Sequence, residues 1–131
     1  MDRFARRVYT VAGIYGLLVM FPQYFLEEKI SRDNPPPITH PEYFYGFIGI
    51  VLVWQLAFLV IARDPARFRA LMPVTVLEKL VFAVPVALLY AQGRVAPAAL
   101  LFGAIDLVLG ALFFASWRRL SDAPNKGGQT P

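Results

Sequence analysis

The 131-residue chain has no cysteine. That excludes disulfide frameworks, thiol redox chemistry, cysteine nucleophiles and thiolate-bound metals. It has one histidine, His40, and so no second imidazole within the chain for a His-rich zinc site or a bis-histidine haem. Charge is scarce as well. Charged residues make up 17% of the chain, against about 25% in an ordinary soluble domain. No nucleophile–base pair and no metal-ligand spacing stands out, so neither a metal nor a cofactor is expected and the reading leans away from an enzyme.

What is present is apolar. Hydrophobic residues reach 57% and the mean hydropathy is +0.52, which argues against both a water-soluble domain and intrinsic disorder. Four apolar runs, at about residues 8–26, 43–62, 73–91 and 96–117, each have the roughly 20-residue length that crosses a hydrocarbon core as a helix. They lack the two-residue alternation of a membrane strand. The expected fold is therefore all-α: an integral membrane four-helix bundle over residues 1–120, followed by a disordered tail, 121–131. The first run reads as a retained helix rather than a cleaved signal peptide, because it is long and no A-x-A pattern follows Phe21.

The distribution of basic residues orients the bundle. Arg3, Arg6 and Arg7, then Arg63, Arg67 and Arg69, then Arg118, Arg119 and Lys126 all fall on one side, with Lys79 nearest to it; the opposite side holds only Lys29, Arg32 and Arg94. Both termini are thus expected in the cytoplasm. The basic run 63–69 is expected to touch anionic headgroups; nucleic acid is not an expected partner, since the stripe is short and lies against the membrane. Thr39-x-x-Glu42 and Thr75-x-x-Glu78 both fit capping boxes. Pro41 and Pro97 suit first helical turns, and Pro85 should kink the third span.

Asp106 is the strongest anomaly. It falls near the middle of the fourth span, where a carboxylate costs at least about 2.5–3.5 kcal/mol, so it must be protonated, paired or facing a wet cavity. Gly103 and Gly110 share its helix face, which lets another helix approach closely. A proton-handling or ligand-contacting acid is one reading; a structural acid bonded to a neighbouring helix is the other. Glu78 is either a second site acid or a helix cap. Lys79 either snorkels to the interface or pairs with Glu78 or Asp106 inside the bundle. Gln55 and Tyr15 fall at a similar depth and could join a polar layer with Glu78, or simply make interhelical hydrogen bonds. His40 lies among acids in a connecting loop, where it could bind a metal weakly or sense pH, or serve only helix-start geometry. The small-residue faces at Gly13 and Gly16, and at Gly46 and Gly49, suit close packing within the bundle or between copies.

The size, the four spans, the termini on one side and the Arg-flanked first helix with Gly13 and Gly16 resemble small bacterial four-helix membrane proteins of the DoxX-like kind. That resemblance is architectural, over roughly residues 4–118, and implies a bacterial inner-membrane bundle. Glu78 and Asp106 are also similar in placement to the intramembrane acids of the sterol-isomerase-like family. Three functions follow as expectations. The first is a non-enzymatic bundle or partner subunit, as a homo-oligomer or with another membrane protein. The alternative is a lipid- or isoprenoid-binding, isomerase-like protein that uses the intramembrane acids on a lipid-like ligand. The third is a proton-coupled transporter subunit.

Overall fold

The computed structural model describes residues 2–121. Of the expected tail 121–131, all but Ser121 lies outside the described residues. The described chain is helical: α1 (Asp2–Met20), a 3₁₀ turn (Phe21–Phe25), α2 (Glu27–Asp33), α3 (Pro41–Arg63), a second 3₁₀ turn (Arg69–Leu71), α4 (Met72–Ala91) and α5 (Pro97–Ser121). Four stretches, Arg3–Phe25, Pro41–Arg63, Arg69–Ala91 and Pro97–Leu120, are long and apolar enough to cross a membrane. They match the four runs of the sequence. Many large apolar side chains are exposed on them, among them Val53, Leu56, Val60, Val81, Val84, Leu88, Leu101, Leu107 and Val108. Helices clothed in exposed Val and Leu are stable in lipid, not in water.

The chain forms two compact units, one made of Tyr9–Val60 and the other of the described parts of Met1–Val8 and Ile61–Pro131. In the first, α1 packs on α3 through its glycines. A Cβ added at Gly13 would meet Leu59 Cδ2 at 2.7 Å, and one at Gly16 would overlap the Gln55 side chain. Tyr9 and Phe58 meet edge to face beside them, 6.1 Å between centroids. Gly46 does not serve this purpose, for nothing lies within 4 Å of a Cβ placed there. The connecting segment is partly folded: α2 occupies part of it, Tyr45 donates to Glu27 Oε2 at 2.6 Å, and the Tyr24 ring stacks on Tyr45.

In the second unit, α4 and α5 form an antiparallel hairpin. Its turn begins where α4 ends in a Schellman motif. Arg94 N–H donates to Leu89 O and Gly93 N–H to Tyr90 O, both at 2.9 Å, and Gly93 takes φ +71°. An L side chain in that left-handed conformation costs roughly 1–2 kcal/mol. Gly93→Ala is therefore expected to lower stability by about that amount, read as a lower thermal midpoint of the helical circular-dichroism signal in detergent. An unchanged midpoint would mean that the turn rearranges freely.

Two capping expectations need correction. Thr39 does not cap α3. The helix starts at Pro41, the first carbonyl used is that of His40, accepting from Tyr43 N and Phe44 N at 3.0 and 3.2 Å, and Glu42 turns to His40 Nδ1 at 3.0 Å. The proline sets the start, since its missing N–H is tolerated only in the first turn. The same logic applies to α4. It begins at Met72 with Pro73 in the first turn, so Thr75 is already helical and its hydroxyl donates to Met72 O at 2.7 Å. Glu78 is therefore not a cap. The helix also runs unbroken through Pro85.

Candidate intramembrane acid–lysine–acid site

The hairpin brings together three of the polar residues singled out by the sequence. Glu78 and Lys79 are the seventh and eighth residues of α4, Asp106 the tenth of α5. At 1.5 Å per residue, Glu78 lies about 9 Å and Asp106 about 14 Å into its helix. Packing explains how they meet. A Cβ at Gly110 would stand 3.3 Å from Lys79 Cβ, and one at Gly103 would stand 3.2 Å from Val86 Cγ1. The glycine face that carries Asp106 is thus the face α5 presents to α4. Lys79 enters the groove at Gly110 and its stem covers the one turn to Asp106.

Lys79 does not snorkel. Its side chain is 5% exposed, and its ammonium lies 3.4 Å from Glu78 Oε2 and 3.5 Å from Asp106 Oδ1. The Asp106 contact has hydrogen-bond geometry at the outer limit of length. The Glu78 contact does not, and Glu78 Oε2 is a buried oxygen that accepts no hydrogen bond. Both acids are largely covered, at 13% and 19% side-chain exposure. With every group ionised the cluster sums to one negative charge; one added proton makes it neutral. Burying a lysine among apolar side chains is tolerated because counter-charges surround it.

Gln55 and Tyr15 belong to the other unit and are described within it. Gln55 is buried, its Nε2 donates to Val51 O at 2.9 Å, and its Oε1 has no hydrogen-bond partner. Tyr15 is half-buried in α1. His40 is exposed, paired with Glu42 and stacked on Tyr43 at 4.9 Å. Among the described residues no three His, Asp or Glu side chains converge as metal ligands would.

Two features escaped the sequence reading. One is the Tyr45–Glu27 bond, between residues 18 apart. The other is at the basic end of the hairpin, where Arg69 Nε donates to Trp117 O at 3.2 Å and its guanidinium lies 4.9 Å from the Trp117 ring centre. Their separation of 48 residues leaves no local spacing to find. Only the register that sets Lys79 against Gly110 also sets the start of α4 against Trp117. No protein-family model, no curated protein and no solved structure matches this chain.

Proposed function

We propose that this is a non-enzymatic bundle or partner subunit of a bacterial inner membrane, with both termini in the cytoplasm, in which the Glu78–Lys79–Asp106 cluster locks α4 to α5. The observation that carries this reading is the closure of the cluster: the buried Lys79 ammonium is held between two carboxylates of its own chain. A lock of this kind fixes helix register and orientation in a medium where an unpaired charge is strongly disfavoured. The cytoplasmic placement is supported by the basic residues. Arg119 of α5 lies over the Phe4 ring of α1, 3.9 Å from its centre, which joins the Arg-rich ends of the first and last spans, as the positive-inside rule requires. The small-residue helix faces and the layout agree with a DoxX-like bundle.

A specific observation favours a second reading. The cluster carries one carboxylate more than its lysine balances, and Glu78 Oε2 takes no hydrogen bond. That surplus suits a proton or a lipid-like ligand with a polar group. Native mass spectrometry of wild type and Asp106→Asn, released from native-lipid nanodiscs, separates the two. The lock predicts the same oligomeric state and the same bound lipids in both forms. A small-molecule adduct of fixed mass that disappears in Asp106→Asn would replace the lock with ligand binding, and its mass would give the ligand class.

A further inference from the structure

We propose that the basic end of the α4–α5 hairpin holds one anionic phospholipid, with an acyl chain along an apolar groove and the phosphate on Arg69. The groove has a volume of about 250 Å³ and is lined by Pro73, Val76, Leu77, Phe114 and Trp117. Its walls are hydrocarbon and aromatic, and Leu77 and Phe114 are exposed along it. At the end formed by the first turn of α4, the Trp117 ring that lines the groove also carries the Arg69 guanidinium.

Arg69 is set up to receive an anion. Its Nε–H is committed to Trp117 O, which with the ring contact fixes the plane of the guanidinium. Four of its five N–H donors remain, in the fork geometry that matches phosphate oxygens. Among the described residues no carboxylate lies within ion-pair distance of it; the nearest acid in sequence, Asp64, accepts instead from Arg67 N–H at 3.3 Å. Arg67 is two residues from it in the chain, and Arg118 and Arg119 directly follow its partner Trp117 in α5; all three add positive potential. That field favours a headgroup with net negative charge over a zwitterionic one. The apolar groove leading away from the guanidinium selects a lipid over a free phosphate, because only a lipid fills it with hydrocarbon. Headgroup depth also fits: an arginine against an interfacial tryptophan belongs at the membrane surface. The proposal rests on the membrane placement alone and not on the role of the Glu78–Lys79–Asp106 cluster.

The test uses the chain's own fluorophores. Its two tryptophans are Trp54 and Trp117, so Trp54→Phe leaves Trp117 as the reporter on the groove. This protein is reconstituted in phosphatidylcholine vesicles with a minor share of either brominated phosphatidylglycerol or brominated phosphatidylcholine. Brominated phosphatidylglycerol is expected to half-quench Trp117 at about a fivefold lower mole fraction. Arg69→Gln should abolish the preference, Arg69→Lys should keep part of it, and the helical circular-dichroism signal should match wild type in both. Equal quenching by the two lipids overturns the site while leaving the membrane placement standing. A preference that survives intact in Arg69→Gln also overturns it, in favour of general surface charge. Quenching by neither lipid overturns both the site and the membrane placement.

Discussion

Lys79→Met is expected to lower the stability of the detergent-solubilised protein by about 3–5 kcal/mol, the usual loss when one partner of a buried ion pair is removed. It should be the most damaging single change in the cluster. The reason is charge balance. Without Lys79, Glu78 and Asp106 are two acids with no counter-ion from the ammonium that now lies 3.4 and 3.5 Å from them. Glu78→Gln or Asp106→Asn, by contrast, leaves one acid paired with one ammonium, a neutral set, and should cost distinctly less. The triple variant Glu78→Gln, Lys79→Met, Asp106→Asn removes every charge and should recover most of the loss, as uncharged replacements of buried ion clusters often do. The measurement is denaturant unfolding in micelles, followed by helical circular dichroism. Equal losses for Lys79→Met and Asp106→Asn would show that the tether between helices matters and the balance of charge does not.

Gly16→Ala is expected to destabilise by about 1–3 kcal/mol, the range for overpacking a close contact. The added Cβ falls on the Gln55 side chain, which is buried and bonded to Val51 O, so Gln55 must leave its position or α1 must move off α3. Gly46→Ala is the matched control. Nothing lies within 4 Å of its Cβ, and the loss of backbone freedom in the unfolded chain makes it neutral or stabilising by up to about 1 kcal/mol. Thermal midpoints of the two variants should therefore move in opposite directions or differ by several degrees. Equal midpoints would remove the glycine contact from the account of α1–α3 packing.

The two glycine pairs show how far a motif can be read. Gly13-x-x-Gly16 and Gly46-x-x-Gly49 are alike on paper. In the fold the first is a contact surface, and of the second only Gly49 has a neighbour, Tyr24 Oη at 3.2 Å. Spacing places small residues on one face; it does not say whether a helix arrives there. The capping boxes fail for a related reason. Thr39 and Thr75 have the right partners three residues on, but Pro41 and Pro73 fix where the helices begin, and that moves Thr39 outside α3 and Thr75 inside α4. A proline's missing N–H outweighs a side-chain cap worth about 1 kcal/mol.

Composition and run length by themselves determined the all-helical class, the four spans and the anomaly of Asp106. Those follow from one-dimensional requirements: enough apolar residues to cross a bilayer, backbone bonds satisfied within each helix, and a charge where lipid disfavours it. Only tertiary structure decided that Glu78 is a cluster member and not a cap, and that Lys79 turns inward to Asp106 and not outward to the interface. It also placed Arg69 on Trp117 beside an apolar groove. These depend on the register of α4 against α5. That register is set by the whole hairpin, by the Schellman turn at Gly93 and by Gly103 and Gly110 admitting Val86 and Lys79, and no local stretch of sequence contains it.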